Sequence, residues 1–402
     1  HYSSNYELSM ALGILSGLLL GGVFVGGFFL RDVVDSRMPV VMAQSETEDD
    51  ATGYPLLDEV QSILDTVYFR DQPDAKAREY AAIRGMLLSL DDRYTYFIEP
   101  PVAQSESDVL AGTYGGIGVL IQRNEAGEIA LFPFPDSPAA EAGIEDGAIL
   151  VAINTVPLDV ALPQDQIDQM LRGEVKEGSG VELTVRKADT GEEFTAFIPF
   201  AVINVPSVVW RVLAEDEDIG YVQILRFTAR TPEELKTALS ELRAEEVAAL
   251  IVDLRNNSGG LLQESIDVAD EFVDADVLVY EVDAAGEEPF NGTRGGLAAD
   301  LPLVVLVNQN TASGAELVAG AIRDQDRGIL VGQQTYGKGT VQQIFPLSDG
   351  SSLHVTSAEW LTPDRRVLSD TGLQPDIAMI PDANGRDVEL GEAIRQLQGL
   401  LG

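Results

Sequence analysis

Residues 307 to 343 read VNQNTASGAELVAGAIRDQDRGILVGQQTYGKGTVQQ, and the rest of the chain is read outward from them. The apolar run Leu303–Val307 predicts a strand, a polar turn follows, and Ser313 then heads a short amphipathic run from Glu316 to Arg323. Further on, the lone Lys338 stands between two glycines. A serine hydroxyl is a weak nucleophile until a base takes its proton. The usual base is histidine, but the chain has only two, the terminal His1 and His354. His354 lies in an alternating run that predicts a strand, and there is no cysteine. For covalent cleavage of an acyl bond, Ser with Lys is the pair the composition leaves open.

Around this stretch strands and helices alternate. Strands are predicted at 219–227, 247–254, 277–282, 303–307 and 329–331, with helices at 232–245, 261–272 and 315–323. That is the pattern of an α/β fold with a mixed or mostly parallel sheet covered by helices. In such sheets, sites gather at the carboxyl ends of strands. Both Ser313 and the loop Asp253-Leu254-Arg255-Asn256-Asn257-Ser258-Gly259-Gly260 follow a strand and precede a helix. The two loops are expected to converge on one face.

The N-terminal half is organised differently. After a short tail (1–8), residues 9–30 carry no charge, and these 22 residues are long enough to span a bilayer as a helix. No Lys or Arg precedes them, which favours an uncleaved anchor over a signal peptide. Residues 31–53 read as a polar, acidic tether. Residues 54–111 read as a helical region, in pieces 57–67 and 75–88 split by Asp71-Gln72-Pro73, and are expected to form a small cap packed on something larger. Residues 112–200 change to short β-type runs with a helical piece at 164–171. They open with Gly115-Gly116-Ile117-Gly118, a turn whose N–H groups can grip a terminal carboxylate while the next strand edge accepts an extended peptide. A plain hairpin with turn glycines is the bland alternative. Residues 201–402 form the α/β core.

Composition narrows the partners. With 66 acidic against 26 basic residues the net charge is −40, and such a surface repels phosphate backbones, so nucleic acid is excluded as a partner. A zinc site would have to be built mostly from carboxylates, and no metal or other cofactor is expected. The stretch from Gly332 to Gly339 reads G-x-x-x-x-G-K followed by glycine. It lacks the Ser or Thr a phosphate loop needs and runs into an alternating strand-like segment rather than a helix.

Lys338 serves as a base only if its pKa falls from ~10.4 towards 7–8, a shift that burial can supply. No carboxylate follows it in sequence before Asp349, so a dry, acid-free pocket is expected. Gln342, four residues on, is placed to orient the amine without ionising. The N–H of Gly314 and one from the Gly259-Gly260 turn, where the backbone must approach closely, are candidate oxyanion donors. Glu316 is either a support for the site or a charge at a helix start.

These residues resemble the carboxyl-terminal processing peptidases, or tail-specific proteases. The likeness runs from about Leu57 to Ile377 through Ser89-Leu90-Asp91-Asp92-Arg93-Tyr94-Thr95, Gly115-Gly116-Ile117-Gly118, Asp253-Leu254-Arg255-Asn256-Asn257, Thr311-Ala312-Ser313, Gly337-Lys338-Gly339-Thr340-Val341-Gln342 and Gly372-Leu373-Gln374-Pro375-Asp376-Ile377. Ser313 and Lys338 stand 25 residues apart, the spacing of that family's nucleophile and lysine. The resemblance implies a multi-domain α/β protein: an N-terminal transmembrane helix, a helical cap, a PDZ domain of β-sandwich type and a crotonase-like protease core. It implies Ser313 as nucleophile, Lys338 as base, Gln342 as its support, Gly260 and Gly314 as the oxyanion hole, and protein substrates whose C-terminal tails bind at Gly115, Gly116, Ile117 and Gly118. It further implies an extracytoplasmic catalytic domain with no cofactor and leaves a homo-oligomer open. The departure is Ser313-Gly314-Ala315-Glu316, where the family usually has Ser-Ala-Ser-Glu, and the extra glycine is expected to loosen the helix start. A PDZ scaffold with an impaired protease core is the alternative.

Overall fold

The computed structural model describes residues 54–402 apart from 125–126, 160, 163 and 383–385. The expected membrane segment 9–30, with its tail and tether, lies outside the described residues. Among the described residues no helix is long and apolar enough to cross a membrane.

The central sheet has six strands in the order Val208–Val212, Ile219–Ile224, Ala249–Asp253, Leu303–Val307, Gly328–Gly332 and Ile377–Ala378. Its first pair is antiparallel and the rest are parallel. The inner strands are almost continuously Val, Leu and Ile because both faces are covered. Alternate side chains part to opposite faces. Leu250, Val252, Val305 and Val307 pack with helices Thr231–Ala244, Leu262–Phe272 and Gly314–Asp324. Ala249, Ile251, Val304 and Leu306 pack with Ala393 and Leu397 of the C-terminal helix Val388–Leu401.

A second sheet is organised by the long strand Ser352–Leu361. It pairs with Tyr96–Ile98, with Thr340–Pro346 and with Val279–Val282, which in turn pairs with Glu287–Phe290. The segment expected at 277–282 therefore leaves the parallel series. Its hydrogen-bonding edges are taken by antiparallel partners, with Tyr280 opposite Leu361 on one side and Pro289 on the other.

Residues 112–200 contain a third, antiparallel sheet in the order Val119–Arg123, Ile129–Pro133, Ala148–Ile153, Gly180–Arg186 and Glu193–Pro199. It has its own core, including Ile129, Leu131, Ile167 and Leu183. The strands flanking this sheet in the chain, Thr113–Gly116 and Ala201–Asn204, pair with each other, so the unit begins and ends at one place.

Of the expected cap, helix Ala75–Leu88 packs, burying Tyr80 and Leu87 against Phe97. Helix Pro55–Val67 does not: none of its residues is buried, and Leu56 and Val67 are 73% and 72% exposed. Three helices were not expected from the sequence: the short Pro138–Glu141, the C-terminal Val388–Leu401 and Pro100–Ala111. Pro100–Ala111 starts on two prolines and ends on Gly112, whose φ of 69° suits a residue without a side chain.

Candidate active site

Ser313 sits between strand Leu303–Val307 and helix Gly314–Asp324 with φ 54° and ψ −123°. A serine held in that region stores strain of ~1–3 kcal/mol, which the surroundings must impose. They do so through the neighbouring strand-end loop. Ala312 N–H donates to Asn257 O at 2.9 Å, and Thr311 Oγ1 donates to Leu254 O at 2.9 Å. Asn257 is fully buried, donating to Ile224 O and accepting from Gly259 N–H. The two loops thus converge as their positions after parallel strands imply.

One glycine in this corner is sterically required and a second is closely packed. At Gly260, with φ 151°, an added Cβ would stand 2.0 Å from Phe227 O. At Gly314 it would stand 2.2 Å from Ser265 Oγ. Gly314 is therefore packed against Ser265, and helix Gly314–Asp324 starts in a tight, buried setting instead of the loosened one expected from the sequence. Phe227 is bonded to Gly259 and Leu261 on either side of Gly260. The N–H groups of Gly260 and Gly314 have no acceptor among the described residues. With Ser313 and Gln342 these glycines border a cavity of about 10 Å³, walled by Leu317 and Trp360 and the size of one water molecule.

Lys338 is 1% exposed. Burial pushes its pKa down to about 8, with the charge of Glu106 opposing the shift and that of Arg226 adding to it. Its Nζ donates to Gln342 Oε1 at 2.7 Å and lies 5.4 Å from the centre of the Tyr94 ring. Gln342 Nε2 in turn donates to Tyr94 O. The strand Thr340–Pro346 is irregular between Val341 and Gln342, so these consecutive residues are both buried. The register shift leaves Ser357 of the partner strand Ser352–Leu361 without a partner at that point.

Glu316 ties the two halves together. It is fully buried; its Oε2 accepts from Ser313 N–H at 2.9 Å and from Lys338 N–H at 2.8 Å, while Oε1 accepts from Gly337 N–H at 2.8 Å and from Thr335 Oγ1. Burial raises its pKa, and these four bonds hold it down. The two candidate catalytic residues thus hang from one carboxylate oxygen by their backbones, while the lysine amine donates to Gln342 rather than to Ser313. The expectation of an acid-free pocket needs correction. Glu316 grips the lysine's backbone, and Glu106 reaches it through space, because folding brings carboxylates that sequence neighbourhood does not reveal.

The glycine turn of the third sheet lies elsewhere. Gly115 and Gly116 belong to strand Thr113–Gly116, and Gly118, with φ 74°, leads into the edge strand Val119–Arg123. Ile117 N–H donates to Leu171 O at 3.3 Å, and Gln164 Nε2 donates to Ile121 O at 2.8 Å. Both donor turn and strand edge are thereby engaged by the segment around helix Gln164–Met170. Sequence reasoning missed Tyr94, Thr335, Glu106 and Arg226 as members of the central site. The one available signal was Tyr94, which lies in a quoted family segment.

The chain is similar to known proteins over most of its length. Residues 218–379 match Peptidase family S41. A "Carboxy-terminal-processing protease" of Bartonella bacilliformis is 31% identical over 91% of this chain and 86% of its own length. A "Carboxyl-terminal-processing protease" of Picosynechococcus is 34% identical over 80% and 78%. A solved "photosystem II D1 C-terminal processing protease" is 30% identical, covers 82% of this chain and 89% of its own, and superposes with a TM-score of 0.48.

Proposed function

The chain belongs to the carboxyl-terminal processing proteases, serine-type peptidases of family S41, and from that premise we propose that Ser313 is its nucleophile and Lys338 its general base. The neutral amine takes the Ser313 hydroxyl proton as Oγ attacks the scissile carbonyl. The N–H groups of Gly260 and Gly314 receive the oxyanion. The lysinium then returns its proton to the leaving amine, and an acyl-serine remains. Water, deprotonated by the same amine, releases the new C-terminus. Gln342 orients the amine, and Glu316 fixes the two backbones. The observation that carries this reading is Lys338, buried, held near pH 8 and bonded to the same carboxylate oxygen as Ser313. The test is turnover of an unstructured protein by the wild type, Ser313→Ala and Lys338→Ala. Both variants are expected to lose several orders of magnitude in rate. Either one retaining about a tenth of wild-type activity contradicts the assignment.

Substrate choice is proposed to rest on residues 112–200 as a PDZ domain, and the core 201–402 is proposed to be crotonase-like. The glycine turn 115–118, the edge strand Val119–Arg123 and the facing helix Gln164–Met170 support a site where a C-terminal tail adds as a strand. Such a tail has to displace the Gln164 bond to Ile121. Because the flanking strands pair with each other, this unit can be excised at its neck. The excised enzyme is expected to cleave unstructured protein but not folded, tail-bearing substrates; normal cleavage of the latter contradicts tail recognition. Anchoring through 9–30, with the catalytic domain outside the cytoplasm, rests on that uncharged run of 22 residues. Release of the full chain from membranes by alkaline carbonate contradicts it.

A further inference from the structure

Glu106 is a second buried carboxylate of the site, and catalysis as described above leaves it unused. It lies on helix Pro100–Ala111, outside the α/β core, and is 7% exposed. Its Oε2 lies 2.9 Å from Nε2 of His354, which is fully buried and stacked on Tyr96 with ring centres 4.5 Å apart. Glu106 Oε1 and Arg226 Nε are buried with no hydrogen-bond partner among the described residues. His354 stands opposite Ile344, two residues beyond Gln342 on strand Thr340–Pro346, which follows Lys338. On the other side of the site, Leu110 O, one turn along the same helix, accepts from Ala229 N–H at 3.0 Å. Ala229 is two residues past Phe227, the residue that brackets the Gly260 donor. The helix therefore touches strand Ser352–Leu361, which pairs with the strand after Lys338, and the segment that follows Phe227. It ends at Gly112, where the β unit begins, and at Gly112 an added Cβ would stand 2.8 Å from Thr228 Oγ1, so that junction is tightly seated.

We propose that Glu106 is a positioning residue for the Lys338 amine: seated on His354, it holds a negative charge that acts on the lysine. This rests on Lys338 being the base. The groups facing Lys338 are Glu106 from this helix, Arg226 after strand Ile219–Ile224, the Tyr94 ring and the backbone-bonded Glu316 of helix Gly314–Asp324. Those facing Glu106 are His354, Tyr96 and Arg226. Glu106 favours the lysinium and Arg226 disfavours it, which agrees with the placement. Seated as here, the carboxylate keeps more of the amine protonated at neutral pH.

The test is the acidic limb of kcat/KM against pH, measured on full-length enzyme with fluorescein-labelled casein. Glu106→Gln moves the limb to lower pH, so that one unit below the wild-type limb the rate relative to its own plateau rises roughly two- to threefold. Arg226→Met moves it the other way by a similar factor. His354→Leu, which unseats the carboxylate, follows Glu106→Gln, and His354→Gln, which keeps an amide donor, restores the wild-type limb. A purely structural role lowers the plateau of each variant and leaves the limb in place; that result, or shifts of one sign for Glu106→Gln and Arg226→Met, overturns the proposal. Should Lys338→Ala keep full activity, it is the assignment of the base that fails, whatever the limb does.

Discussion

Glutamine at position 316 keeps the shape of the side chain and halves its capacity to accept. Four donors now meet the carboxylate: Ser313 and Lys338 N–H at one oxygen, Gly337 N–H and the Thr335 hydroxyl at the other. A carboxamide presents one oxygen and an NH₂. It settles best with the NH₂ towards Thr335, whose hydroxyl can rotate to accept, and this leaves Gly337 N–H facing a donor. One buried unsatisfied donor costs ~1–3 kcal/mol, and three bonds weaken from charged to neutral. Against this, removing a buried charge recovers part of its desolvation, since burial already raises the Glu316 pKa. The balance is a loss of about 2 kcal/mol. The kinetic effect is larger, because a shift of ~1 Å between nucleophile and base costs ~10²-fold. Urea unfolding and steady-state hydrolysis of an unstructured protein measure the two. The expected outcome is modest destabilisation with kcat reduced about a hundredfold and KM little changed. If Glu316→Gln unfolds within about 0.5 kcal/mol of wild type and keeps kcat within about threefold, the shared carboxylate does not hold the dyad together.

Other substitutions probe other parts of the site. Gly260→Ala forces a side chain into φ 151° and to within 2.0 Å of Phe227 O, displacing one oxyanion donor; kcat is expected to fall ~10²–10³-fold, and a normal kcat assigns that donor elsewhere. Lys338→Met tests the burial of the amine through stability. The folded pKa, about 8, lies below the ordinary 10.5, so the unfolded chain binds the proton more tightly. The resulting penalty, ~3 kcal/mol, is fully present below pH 8 and fades as pH rises towards 10.5. Lys338→Met is therefore expected to gain on the wild type at pH 7, less the cost of an unpaired Gln342 oxygen, and to lose that gain between pH 8 and 10.5 in a urea series. A stability difference that does not change with pH contradicts a lowered lysine pKa.

Strand Leu303–Val307 and helix Gly314–Asp324 were legible in the sequence because an apolar run buried on both faces and a 3.6-residue pattern are both local signals. The convergence of the Ser313 and Gly260 loops followed from the rule for parallel sheets. What stayed hidden depends on distant partners. Nothing near Glu316 in sequence shows that its acceptors serve Thr335, Gly337 and Lys338, two loops away. The neutrality around Lys338 was a fact about neighbours in sequence, and folding supplied Glu106. Helix Pro100–Ala111 opens on two prolines and carries a weak apolar stripe, so periodicity did not mark it. The register shift opposite Val341 and Gln342, where Ser357 is passed over, was concealed in runs that looked like simple alternation. Helix Pro55–Val67 misled in the opposite sense, since its amphipathic stripe is clear and none of it is buried.

The central claim, a buried lysine whose pKa is lowered to about 8, can be measured directly. The chain contains only five lysines, Lys76, Lys176, Lys187, Lys236 and Lys338. With lysine labelled at the ε-carbon, NMR resolves few enough signals to follow each one through a pH titration, and Lys338→Met identifies the one of interest. The expected result is that the signal lost in Lys338→Met is one that titrates at about 8 in the wild type. If the signal that disappears in Lys338→Met titrates above ~10 like an exposed lysine, the amine is charged at neutral pH and position 338 does not supply the base.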